Sequence, residues 1–129
     1  MTELLQCDNH KVKVRQDPTL DLLLDLDGQV LVVDPEGGHW VRFIVTRVPE
    51  SPEKPHGLDY SLTLHGPDGE RLVGFDNAHP AGRQKRGDRQ DHRHRLGNIR
   101  VYEYEDAATL LEDFWEAVDA VLRERGVIP

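Results

Sequence analysis

Cysteine is nearly absent from this chain: Cys7 is the only one in 129 residues. No internal disulfide can form, and no zinc site built from several thiolates is available. A reducing compartment fits that usage, and Cys7, near the start and outside any helical pattern, reads as an ordinary residue. Long apolar runs are missing too. A membrane-spanning helix needs about 20 mostly apolar residues, and nothing here approaches that. The opening "MTELLQCDNHK" lacks the basic and apolar regions of a signal peptide. There is no internal repeat and no low-complexity linker. The expectation is a soluble, cytoplasmic protein without membrane contact, folded as a single domain over residues 1–129, a size that can bury a core unaided.

Positive charge is scarce overall, at a net −8, but unevenly spread. Residues 83–95 hold Arg83, Lys85, Arg86, Arg89, Arg93 and Arg95 against Asp88 and Asp91, a net of +4 that leaves −12 for the rest. That balance excludes a protein coated for nucleic-acid binding all over. It permits one local anion site on an acidic body, and equally a solvated basic loop at residues 78–90.

The hydrophobic pattern describes short strands followed by one helix. "KVKVR" within residues 1–16 alternates and reads as a candidate edge strand. In "TLDLLLDLDGQVLVVD", Asp27-Gly28 favours a hairpin turn between two apolar runs, although residues 20–26 also read as a helical turn after Pro18. "HWVRFIVTRV" sets Val41, Phe43 and Val45 on one face. The three prolines of "PESPEKPHG" mark a loop. "LDYSLTLH", the turn "GPDG" and "ERLVGF" read as a hairpin. In "DAATLLEDFWEAVDAVLRERG", Ala107, Leu110, Leu111, Phe114, Ala117, Val118, Val121 and Leu122 recur at three and four residues. Asp106 stands as its N-cap and Gly126 as its stop. The predicted fold is α+β: an antiparallel meander of about four to six strands with one long C-terminal helix packed on one face.

The chemistry concentrates between the last strand of that hairpin and the helix, in residues 76–98. If "DHRHR" is extended, Asp91, Arg93 and Arg95 face one way and His92 and His94 the other, the imidazoles about 6.5–7 Å apart at Cα. They then suit either a metal, with Asp76 or His79 as third ligand, or acid–base work on a phosphodiester whose charge arginines hold. Asp76 and Asn77 fit direct contact with a substrate and also side-chain-to-backbone bonds that fix a turn. His10, His39, His56 and His65 are scattered, and Trp40 and Trp115 read as core.

These residues resemble the TumE family of toxin components of type II toxin–antitoxin systems. "YSLTLHGPDGERLVGFDN" is similar to the family's paired strands ending in aromatic-Asp-Asn, with Phe75 where tyrosine is frequent. "DHRH" (91–94) is similar to its Asp-His-Arg/Lys-His motif, and "VYEYEDAATLLEDFW" to its aromatic strand and Leu-Leu-x-Asp-Phe helix. The resemblance covers roughly residues 30–125 and implies a growth-inhibiting protein paired with an antitoxin carrying a helix-turn-helix domain.

The leading expectation is therefore a metal-independent ribonuclease. His92 and His94 supply acid and base, Asp76 or Asp91 orients an imidazole, and Asn77 completes the site. Arg93, Arg95, Arg86, Arg89 and His79 hold substrate phosphate, with no cofactor. The second reading is a metalloenzyme on His92, His94 and Asp76. The third is a non-enzymatic module docking nucleic acid or an acidic partner by its basic loop. The antitoxin is expected to cover that loop, and a homodimer is a further expectation.

Overall fold

The computed structural model describes residues 17–77 and 91–129. The "KVKVR" strand, Cys7, and the basic loop 78–90 with His79, Arg86 and Arg89 lie outside the described residues. A short helix α1 (Leu20–Leu24) precedes strands β1 (Val30–Val32), β2 (Trp40–Arg47), β3 (Leu58–His65), β4 (Arg71–Asp76), β5 (Asp91–Arg95) and β6 (Asn98–Tyr102), and helix α2 (Ala107–Glu124) follows. The strands form one six-stranded sheet in sequence order. Every neighbouring pair is antiparallel.

Alternation decides which face is buried. Val41, Phe43 and Val45 of β2 and Leu58, Tyr60, Leu62 and Leu64 of β3 point inward and are shielded from water. Leu110, Phe114, Ala117, Val118, Val121 and Leu122 of α2 close over them. Leu111, at the edge of the stripe, is only partly buried. Asp106 caps α2 by accepting from the Thr109 N–H at 2.8 Å. Two more of the helix's open N–H groups are taken from far upstream: Ala107 donates to Asp17 Oδ2 at 2.7 Å and Ala108 to Thr19 Oγ1 at 3.0 Å. A helix end has four such donors, so this clasp and the cap satisfy three of them.

Two expectations need correction. Asp27-Gly28 does not turn a hairpin. Residues 20–24 are helical, Leu23 is buried, and the following stretch runs beside β2, where Asp27 Oδ1 accepts the Val45 N–H and Gly28 N–H donates to the Phe43 carbonyl. Trp40 is not core: it lies on the face that α2 leaves open, stacked on His65 with 4.2 Å between ring centroids. Trp115 does pack against Phe43 and Phe114.

The loop between β1 and β2 is pinned by a covered pair, His39 Nδ1 to Asp34 Oδ2 at 2.7 Å. This hydrogen bond from the His39 ring, with the backbone N–H groups of His39 and Gly37, outweighs desolvation and holds the Asp34 carboxyl below its ordinary value. A carboxyl depressed in the folded state stabilises the fold above its unfolded pKa of about 3.9, and that contribution is lost as pH falls through the folded value. Melting temperatures followed from pH 6 down to pH 3 should therefore fall more steeply for the wild type than for Asp34→Asn.

Candidate functional site

Strand register assembles the site. β4 and β5 pair so that Asp76 faces His92, Phe75 faces Arg93, Gly74 faces His94 and Val73 faces Arg95. Directly opposed residues share a face, with Cβ atoms about 4.5–5.5 Å apart. Phe75 and Val73 are buried under α2. Asp76, His92 and His94 consequently lie together, partly buried, on the outer face, opposite α2.

His94 is held from two sides. Its Nε2 lies 3.0 Å from Asp76 Oδ2, and its Nδ1 lies 3.2 Å from a guanidinium nitrogen of Arg71. Arginine has donors and no acceptor, so Nδ1 must be the acceptor. The proton of the neutral ring is then on Nε2, the side of Asp76. The pair leaves Nδ1 as a basic nitrogen and Asp76 as the group that orients the ring.

Arg71 reaches this face through an irregularity. Between Leu64 and His65 the register with β4 shifts, so that Leu64 faces Val73 while His65 faces Arg71. Leu72 is the extra residue and tucks into the core with Val73. Strict alternation would put Arg71 beside Val73 and Phe75, but the bulge re-aims it. Its side chain then crosses β4 over Gly74, where an added Cβ would meet Arg71 Cδ at 3.2 Å. Glycine leaves the trough that the guanidinium needs to reach His94.

The other expected residues are distributed differently. Asp91 lies on the inner face, buried, away from His92 and His94. Its Oδ2 accepts from the Tyr60 hydroxyl at 2.6 Å, and its Oδ1 lies 3.8 Å from His56 Nε2. Burial, reinforced by the Asp91 charge, pushes the Tyr60 phenol well up, so it stays a donor. Asp91 thus keeps company with an imidazole, but that of His56, whose ring packs on Tyr104 at 4.1 Å between centroids. Asn77 is buried and spent on backbone: Nδ2 donates to the Leu58 carbonyl at 2.7 Å and Oδ1 accepts the Tyr60 N–H at 3.0 Å. Lys54 Nζ donates to the Asn77 carbonyl at 2.7 Å. Asn77 closes the end of β3 against β4.

Arg93 and Arg95 also face inward, past the edge of α2. The Arg93 guanidinium lies 4.7 Å above the centre of the Phe75 ring, and Arg95 pairs with Glu124. Neither reaches a phosphate held at His92 and His94; Arg71 is the cation that meets His94 on that face. The metal set His92, His94 and Asp76 does not converge either. Among the described residues no three His, Cys, Asp or Glu side chains gather to hold a metal. His94 is occupied at both ring nitrogens, one of them by a guanidinium whose charge would repel a cation.

Sequence reasoning missed Arg71 and Gly74. Only the "VGF" stretch offered a signal, a glycine inside a strand, which marks a bulge or a close approach. No helix among the described residues is long and apolar enough to cross a membrane. A comparison with protein families matches residues 13–122 to the one described as Toxin TumE. No curated protein and no solved structure matches the chain.

Proposed function

The chain belongs to the Toxin TumE family, so it is the toxin of a toxin–antitoxin pair, and from that premise we propose that it acts on cytoplasmic RNA as a small ribonuclease. The observation that carries the reading is the Asp76–His94–Arg71 array beside His92 on the sheet face opposite α2. Two imidazoles about 6.5–7 Å apart at Cα can work on either side of one phosphate.

In this reading the phosphodiester enters between the histidines and Arg71 turns its donors from Nδ1 of His94 to a non-bridging oxygen. His94 Nδ1 takes the proton of the 2′-hydroxyl. O2′ then bonds to phosphorus as the bond from phosphorus to O5′ breaks, and protonated His92 gives its proton to O5′. The products are a 2′,3′-cyclic phosphate and a 5′-hydroxyl. Asp76 keeps the His94 ring oriented and stabilises the imidazolium as it forms. The attacking group belongs to the substrate, which is why RNA and not DNA suits these residues. Arg71 also supplies a planar fork that matches phosphate geometry. The antitoxin in this reading is a helix-turn-helix protein drawn to the basic stretch 83–95.

Purified toxin incubated with labelled RNA in excess chelator should yield fragments ending in 2′,3′-cyclic phosphate and leave DNA of the same sequence intact. Absence of cleavage, or cleavage abolished by the chelator, overturns this assignment.

A further inference from the structure

On the helix side, at the tip of the β5–β6 hairpin, Arg93, Arg95 and Arg100 line a cleft of about 520 Å³ with Leu96, Asn98 and Glu124. Three cations face one carboxylate there. Arg93 and Arg100 are direct cross-strand partners, and like charges so opposed destabilise a sheet unless an anion joins them. Arg100 is exposed and has no hydrogen-bond or ion-pair partner among the described residues. Arg95 pairs with Glu124, yet its Nε is buried without a partner among them.

The hairpin turn adds an independent oddity. Leu96 and Gly97 both have positive φ, 50° and 89°, the type I′ geometry that normally recruits Asn, Asp or Gly. A bulky leucine is disfavoured in that conformation, and here its side chain stands out in solvent at the lip of the cleft, 51% exposed. Strain at an exposed, apolar position points to a contact made outside the monomer.

We propose that this cleft is a second nucleic-acid site, one that holds single-stranded RNA flanking the cleaved phosphate; it rests on the ribonuclease reading above. Arg93 and Arg95 are two residues apart on a strand, about 6.6 Å, close to the repeat of phosphates along an extended strand. Guanidinium forks suit those phosphates, and Leu96 offers an apolar surface to an unstacked base. Among the described residues β6 is the edge strand on this side, and it lies between this cleft and the histidine face. A flexible single strand can round that edge, whereas a duplex is too stiff to do so. The cleft therefore selects unpaired RNA.

The test uses 2′-O-methyl RNA, which lacks the attacking hydroxyl and survives binding to the wild-type toxin. Fluorescence anisotropy should give tighter binding of a single-stranded oligonucleotide than of its duplex. Arg100→Ala should weaken single-strand binding about tenfold and reduce the salt slope by about one, with a melting temperature no lower than the wild type's, since the opposed charge of Arg93 is relieved. Leu96→Asn should raise the melting temperature by about 3–6 °C and weaken binding. Failure of the wild type to bind overturns both this inference and the ribonuclease reading. Wild-type binding that Arg100→Ala leaves untouched overturns the cleft alone. Loss of antitoxin affinity in Arg100→Ala, with RNA binding intact, reassigns the cleft to the protein partner and also overturns it.

Discussion

Replacing His94 with alanine should abolish growth inhibition by the expressed toxin and lower RNA cleavage by about 10²–10⁴, the usual worth of a positioned acid or base. The fold should survive. His94 sits on the face opposite α2, partly buried, and contributes none of the packing between sheet and α2. Its loss leaves Arg71 and Asp76 on the same face. Circular dichroism and a melting curve close to the wild type's would separate this result from unfolding. His92→Ala should act in the same direction through the other proton transfer. Variants at both positions that remain fully toxic would remove the catalytic reading. Arg71→Lys gives a finer measurement: a lysine keeps the charge but loses the planar fork, so cleavage should drop with the melting temperature unmoved.

Phe114→Ala should have the largest effect on the fold. Phe114 is fully buried and sits at the centre of an aromatic cluster. Its ring meets Phe43 at 5.7 Å, Phe75 at 6.1 Å and Trp115 at 5.5 Å between centroids, all edge-on. Truncation removes the apolar transfer energy, leaves a cavity under the sheet and abolishes these edge-to-face contacts. The cost should be about 3–5 kcal/mol, a large share of the roughly 5–15 kcal/mol that holds a domain together. Urea denaturation measures it directly. A loss below about 1 kcal/mol would mean that α2 does not cover the sheet as described, since no buried phenylalanine is removed so cheaply.

Much of this architecture was readable from local pattern. The period of α2, its Asp106 cap and the alternation in β2 and β3 are short-range signals, and packing agreed with them. Where packing decided between local options, reading the chain was not enough. Leu20–Leu24 could extend or coil, and the burial of Leu23 under α2 settled it as helix. The site divides in the same way. The facing of "DHRHR" follows from strand geometry alone, which sets His92 and His94 on one face and Arg93 and Arg95 on the other. Their partner across the sheet depends on register, which is non-local: Asp76 and Asp91 both flank the basic loop, and only the pairing of β4 with β5 puts Asp76 on the outer face and Asp91 on the inner. Arg71 was hidden because one extra residue at Leu72 reverses the phase of the strand.

The clasp on the first turn of α2 bears on when this molecule comes into existence. All six described strands pair with their neighbours in sequence, so a growing chain can lay the sheet down as it emerges from the ribosome. The helix that covers it is made afterwards, and its first turn is tied to Asp17 and Thr19, synthesised some ninety residues earlier. Until that helix appears, the inner face of the sheet lacks Leu110, Phe114, Val118 and Val121, which close over it. At about 5–20 residues per second, translation spends about 1–4 seconds with the strands made and the lid unmade. The core is thus closed only once α2 has been made, because that helix locks onto Asp17 and Thr19 and no nascent chain without it can assemble the same core.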